Sequence, residues 1–182
     1  ATLFAARYAR EPGLTVSYDP NLRRNLWSDE QTARQYIREG LNLCDVAKLS
    51  DEECTFLCGD GEIDALGHRL LAEHPNLKLL FVTCGAGGSY AFCGSRMAFV
   101  PGFSVKIADT TGAGDAFVGA VLYQILRRGG LREAYSPAEL EQLLTFGNAV
   151  GALSVQRYGA IPAIPTLAET ESFLHAQGLL GA

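Results

Sequence analysis

Helical and strand-like spacings of apolar residues take turns along this chain. Thr2 to Arg10 has helical spacing, and Pro12-Gly13 breaks it. Leu14 to Tyr18, β-branched and aromatic, reads as a strand, with Asp19 to Arg23 as the loop after it. Ser28 opens a helix with Gln31 at capping-box spacing, and Asp45 to Leu49 is a short strand. Ser50 starts the next helix, again with a capping-box partner, Glu53. Ile63 to Glu73 predicts a further helix, stopped before Pro75. Leu79 to Thr83 is a continuous apolar strand, the pattern expected when both faces of a sheet are covered. Cys84 to Ser89 is a glycine-rich turn and Tyr90 to Val100 a hairpin. Ala116 to Leu126 is apolar nearly all round, hence a buried helix, closed by Arg127, Arg128 and Gly129. Ser136, Pro137 and Glu139 start a helix whose Gly147, Asn148, Gly151 and Ser154 let another surface come close. Thr166 and Glu169 cap a last amphipathic helix. The alternation predicts an α/β fold: one domain with an open, mostly parallel sheet and helices on both faces.

Composition narrows the class. Apolar residues make up 48% and charged ones 19% of 182 positions, which excludes a disordered chain. A net charge of −5 gives no overall attraction to nucleic acid or to anionic lipid. Cys44, Cys54, Cys58, Cys84 and Cys93 show no metal-site spacing and read as reduced thiols. No run reaches membrane-span length and no signal-peptide pattern is present. The expectation is a cytoplasmic protein acting on a small molecule.

The polar residues that bear on chemistry cluster where strands end. Asp19, Asn21 and Arg23 follow the first strand, Ser50 and Glu53 the second, Thr83 and Gly85 the third. In an open α/β sheet that edge is where ligands bind, although loops are polar in any case. The sharpest signal is Gly112-Ala113-Gly114-Asp115 at the head of the buried helix. Two glycines allow close approach of the backbone, and the first helical turn offers free N–H groups in a positive field. Together they form an anion site. An ionised Asp115 beside it is placed to accept a hydroxyl proton. The same four residues also fit a plain glycine-rich turn with an N-terminal Asp. No Gly-Lys-Ser/Thr follows, so this is not a Walker A loop, and the glycines of Cys84 to Ser89 precede a hairpin rather than a dinucleotide-binding helix.

The run Asp109-Thr-Thr-Gly-Ala-Gly-Asp-Ala-Phe-Val-Gly-Ala120 resembles the C-terminal signature of the ribokinase-like (PfkB) sugar kinases. Other segments agree in the same order. Asp19 to Trp27 is similar to the strand-end motif of fructokinases. Lys48 to Glu53 is similar to the Asn/Ser-x-x-Glu segment, and Val82 to Gly88 to the Val-Thr-x-Gly-x-x-Gly turn. Phe146 to Ala152 and Gly159 to Pro162 resemble the adenine and cation segments. The likeness covers essentially the whole chain.

The resemblance implies transfer of the γ-phosphoryl group of ATP to a sugar hydroxyl, with fructose favoured. Ribose, 2-keto-3-deoxygluconate and a nucleoside stay open, as does a nucleotide-binding fragment without turnover. It makes Asp115 the general base and Gly112, Ala113 and Gly114 the anion hole. Glu53, with Ser50, would organise Mg²⁺ through water, while residue chemistry alone favours Glu53 as a helix cap, and one carboxylate can do both. Thr83, Gly85, Gly88 and Asn148 would line the nucleotide, and Arg23 would reach a phosphate or the sugar. Asp109 and Thr111 match a monovalent-cation site, completed near Ser154, Arg157 and Gly159. Ala163 stands where some relatives have serine, which leaves the need for K⁺ open. The family's N-terminal half carries the sugar-binding residues and a β-lid, and neither pattern occurs here. The expectation is therefore the C-terminal nucleotide-binding and catalytic part, residues 1–182, with an exposed strand edge that takes the missing half or a second copy.

Overall fold

The computed structural model describes residues 1–11 and 13–179, and it divides into two compact units. The first comprises Ala1–Cys84, Tyr90–Ala98 and Arg132–Pro137. It opens with helix α1 (Thr2–Arg10), matching its predicted span. Pro12, read as part of the helix break, lies outside the described residues, while Gly13 beside it has φ 76°.

Three parallel strands follow: β1 (Ser17–Tyr18), β2 (Val46–Ser50) and β3 (Leu79–Thr83). Register runs from Val46 opposite Leu79 to Ser50 opposite Thr83. A hairpin of β4 (Ser89–Cys93) and β5 (Arg96–Val100) completes a sheet whose strand order is the chain order. The strand β1 is shorter than the expected Leu14–Tyr18. The N–H of Val16 goes to the Asp45 carboxylate (2.9 Å) and that of Leu14 to the Ala9 carbonyl (3.1 Å), so neither N–H joins the ladder, although the Val16 carbonyl accepts the Val46 N–H (3.2 Å).

Helix α2 (Glu30–Leu41) connects β1 to β2, and α3 (Asp51–Cys58) and α4 (Ile63–Glu73) connect β2 to β3. The cap of α2 is Asp29 rather than Ser28. The Asp29 carboxylate accepts the Thr32 N–H at 2.8 Å, and Ser28 donates its hydroxyl to Asp29. A carboxylate in the field of a helix start outcompetes a hydroxyl one residue back. Ser50 and Glu53 form the expected reciprocal box on α3. The core of this unit gathers Ile37, Leu41, Leu49, Leu70, Leu80 and Phe92. Leu79 to Val82 are fully buried, as the continuous apolar run required.

The second unit comprises Gly85–Ser89, Phe99–Leu131 and the residues from Ala138 on. Its elements are α5 (Ala113–Arg127), most of α6 (Pro137–Ser154) and α7 (Leu167–Ala176). Helix α5 begins three residues before the predicted Ala116, so the glycine pair spans the N-cap and the first turn. Ala116, Ala120, Phe146, Ala149, Val150 and Leu174 form the core, with Phe103 and Phe173 packed against it. Gly147 lets α6 approach α5: a Cβ there would lie 2.6 Å from the Phe117 ring. No helix of the described residues is long and apolar enough to cross a membrane.

Candidate active site

The start of α5 combines an unusual cap with unused donors. Gly112, the N-cap, sits in the left-handed region (φ 78°, ψ 4°) and has no side chain to cap with. A Cβ there would lie 2.9 Å from Cβ of Ala160, so both dihedral and space demand glycine. The Ala116 N–H donates to the Gly112 carbonyl at 2.9 Å, the first bond of the helix, and the Ala113 N–H donates to the Thr110 carbonyl at 3.2 Å. Between them, the N–H groups of Gly114 and Asp115 find no acceptor among the described residues. Ala113, expected in the anion hole, is therefore already used, and the free pair lies one residue further on. The Asp115 side chain is exposed, and among the described residues its carboxylate has neither hydrogen-bond nor ion-pair partner. Two unspent donors and an unspent carboxylate at the positive end of a helix can bind an anion and take up a proton beside it.

The loop before that helix is clamped. Asp109 Oδ1 accepts the Thr111 N–H (2.9 Å) and the Thr111 hydroxyl (2.7 Å), and Asp109 Oδ2 accepts the Gly159 N–H (3.0 Å). Those donors hold the Asp109 carboxyl below its usual range, the Thr111 hydroxyl first among them. The Val155 carbonyl accepts the N–H of Ala108 (2.7 Å) and of Asp109 (3.2 Å). Ser154 is buried and donates its hydroxyl to the Gly151 carbonyl at 2.8 Å. Ala163 is buried and brings no oxygen from its side chain.

In the same unit the glycine turn is held from α6. Asn148 Oδ1 accepts the hydroxyl of the fully buried Ser89 at 2.7 Å. Its Nδ2 donates to the carbonyls of Val100 (3.0 Å) and Pro101 (3.3 Å). The Asn148 amide is thus committed to fixing the turn. Gly88, with φ 113°, packs so closely that a Cβ would lie 2.2 Å from the Val100 carbonyl oxygen. Gly85 (φ 53°) faces open space instead.

In the first unit a separate polar corner forms at the ends of β1 and β2. Glu53 is 6% exposed, and both its oxygens are engaged. Oε1 accepts the Leu22 N–H (2.6 Å) and Oε2 the Ser50 N–H (2.8 Å), so one carboxylate caps α3 and fastens the loop after β1. Beside it Lys48 donates to Asp19 at 3.3 Å, both side chains largely buried. Burial lifts the Asp19 carboxyl above its usual range, and the Lys48 ammonium offsets this only in part. Thr83 donates a long bond (3.4 Å) to the Leu49 carbonyl. Arg23 is exposed, and its guanidinium donates to the Leu22 carbonyl at 3.5 Å.

Residues 1–167 match the pfkB family carbohydrate kinases. The chain belongs to that family. It is 42% identical to fructokinase-2 of Solanum lycopersicum over 174 residues, 96% of this chain and 52% of that one. A fructokinase with bound ATP from Xylella fastidiosa superposes with a TM-score of 0.86 at 34% identity, covering 97% of this chain and 56% of the other. A fructokinase double mutant from Vibrio cholerae O395, solved with fructose, ADP and potassium ion, gives a TM-score of 0.82 at 35% identity over 95% and 54%. The chain spans about half the length of these pfkB relatives. The open α/β sheet expected from the alternating elements, and the ribokinase-like fold implied by the resemblance, are thereby shown.

Within the second unit, the structure gathers the family-signature residues Asp109, Thr111, Gly112, Gly114 and Asp115 with Gly159 around one helix start. It gives Asn148 and Gly88 to the scaffold of the turn. Sequence reasoning missed Lys48 as a partner for Asp19. The signal was there: a lone cation inside the strand Val-Ala-Lys-Leu-Ser needs a buried counter-charge. It missed Ser89 as well, for which no local pattern exists.

Proposed function

We propose that this chain is the nucleotide-binding and catalytic-base part, the C-terminal portion, of an ATP-dependent fructokinase. The observation that carries the proposal is the start of α5, where two N–H groups stand beside the Asp115 carboxylate, all three without a partner among the described residues. ATP, when bound, supplies the γ-phosphoryl group and the ADP leaving group. The N–H groups of Gly114 and Asp115 stabilise charge developing on a transferring phosphoryl group. Asp115 accepts the proton of the sugar hydroxyl as that oxygen becomes the nucleophile. The Asp109 clamp keeps Gly112 in the left-handed region and so keeps the two donors aimed outward. Fructose is the favoured sugar because the relatives bear that name and because Asp19 to Trp27 resembles their strand-end motif.

Magnesium fits the first unit only through water. Each oxygen of Glu53 already accepts a backbone N–H, and Mg²⁺ keeps several waters in any case. Thr83, Gly85 and Arg23 remain proposed nucleotide contacts, since among the described residues Thr83 and Arg23 make only long hydrogen bonds (3.4 and 3.5 Å) and Gly85 faces open space. For K⁺, the oxygen-rich loops at 109–111 and 154–159 are the proposed site, with Asp109 ordering them.

The test uses a chain completed with the part of the Solanum fructokinase that this one does not span. Asp115→Asn is expected to lower kcat by about 10³-fold while ATP affinity stays within about twofold. Near-normal turnover refutes the base assignment. The 182-residue chain by itself is expected to bind ATP without releasing ADP in response to fructose.

A further inference from the structure

Lys48 is the one cation of β2, and it sits between Ala47 and Leu49, both fully buried. Its ammonium donates to Asp19 Oδ2 at 3.3 Å, the two side chains being 11% and 16% exposed. An ion pair enclosed to that degree adds little net stability, because desolvating both charges offsets their attraction. A pair of apolar side chains would hold β1 to β2 as well. What the ion pair adds is a fixed place for the Asp19 carboxylate.

Asp19 directly follows β1, and its other oxygen serves the loop. Asp19 Oδ1 accepts the Asn21 N–H at 3.2 Å. Asn21 has φ 50°, the one positive φ outside glycine among the described residues. That region is unfavourable for a residue with a Cβ and persists where the surroundings over-determine it. The second constraint comes one residue on, where Glu53 Oε1 accepts the Leu22 N–H at 2.6 Å. Two consecutive N–H groups are therefore each held by a carboxylate. Glu53 is itself fixed by the Ser50 N–H at 2.8 Å, and Asp19 by Lys48. The chain leaving this clamp presents Arg23, exposed, its guanidinium donating to the Leu22 carbonyl at a long 3.5 Å. Arg23 lies past the carboxyl end of a parallel strand, where such sheets bind ligands, and a guanidinium matches phosphate oxygens.

We propose that Lys48 is a positioning residue for phosphoryl transfer: paired with Asp19, it locks Asn21 in the left-handed region and so aims Arg23 at a phosphate of bound ATP. Lys48 touches no substrate; it acts through the loop. The role rests on the reading of this chain as part of an ATP-dependent sugar kinase. A pair that merely held the two strands together would affect folding and leave Arg23 out of account.

The experiment uses the chain completed with the part of the Solanum fructokinase that it does not span, and reads ADP release with fructose at a measured concentration of folded protein. Lys48→Met and Arg23→Met are each expected to lower kcat about tenfold, and the double variant no more than about twofold below Arg23→Met alone. Lys48→Arg, which keeps the charge and the donor, should stay within about threefold of the unsubstituted chain. Amide exchange at Leu22 in Lys48→Met should quicken about tenfold relative to that at the buried Leu80, which reports general loosening. Asn21→Val leaves the buried pair untouched and covers the case in which Lys48→Met folds poorly. Its β-branched side chain resists the left-handed region, so it should lower kcat like Lys48→Met, while Asn21→Gly keeps it. Losses that multiply in the double variant, Leu22 exchange that merely follows Leu80, or full turnover by Asn21→Val each overturn the positioning role alone. Absence of fructose-dependent ADP release from the unsubstituted completed chain overturns the fructokinase reading, and the positioning role with it.

Discussion

Glu53, Asn148 and Asp109 show how much a single side chain can carry when both its ends are used. Glu53 holds two backbone N–H groups thirty-one and three residues away, which is why it tolerates burial. The neighbouring Asp19–Lys48 pair is a different case. Removing one partner leaves a charge that burial already disfavours, so Lys48→Met is expected to cost about 3 kcal/mol, readable by urea unfolding. Asp19→Asn in the same background should restore part of it. Asn148→Ala strands the buried Ser89 hydroxyl and the Val100 carbonyl, an expected loss of about 2 kcal/mol. It should weaken ATP binding more than it lowers kcat, because it acts through the turn. Residue types and spacing pointed to Asp115 and Glu53, and the family resemblance to Asp109. They could not show that the Asn148 amide is consumed by protein, since its partners lie 59 and 48 positions away.

At the scale of elements, the decisive feature is a helix that starts without a side-chain cap. Three helices here are closed by a side chain: Asp29 caps α2, Ser50 caps α3 and Thr166 caps α7. Ser50→Ala should cost about 1 kcal/mol, as lost caps do. Helix α5 instead leaves two donors open, and Gly112 makes that possible. Gly112→Ala is expected to destabilise by about 2 kcal/mol through the left-handed dihedral alone, with further strain against Ala160. It should also weaken ATP binding, measured by calorimetry, by displacing the open donors. Most helix and strand positions were legible from periodicity. Two displaced boundaries, at β1 and α5, moved because Asp45 captures the N–H of Val16 and because the glycine pair joins the helix.

Across the molecule, acid should act at several independent points. His74 is buried; its Nδ1 lies 2.6 Å from Asn42 Oδ1, and its Nε2 has no hydrogen-bond partner among the described residues. Burial lowers its pKa, so the folded state prefers the neutral ring. The unfolded chain then binds the proton more readily. Stability is complete above the ordinary histidine value of about 6.5 and declines as pH falls below it. Thermal midpoints should therefore drop between pH 7 and pH 5, and His74→Gln should flatten that slope. Further down, Glu169 has its pKa lowered to about 2, by Arg157 first and then by the Thr166 N–H and hydroxyl. Its contribution is full above the ordinary glutamate value of about 4.3 and is lost as pH approaches 2, loosening the start of α7.

The sequence by itself determined the alternation of helices and strands, the family signature and the identity of the acid at the head of α5. These are local properties: periodicity, caps and glycine spacing act within a few residues. Only the tertiary structure decided which donors stay open and which polar groups are spent on the scaffold. It also decided which edge of the sheet is left without a neighbour. Those outcomes depend on partners dozens of residues apart, and a hydrogen bond formed across such a distance leaves no periodic trace in either strand or helix that it joins.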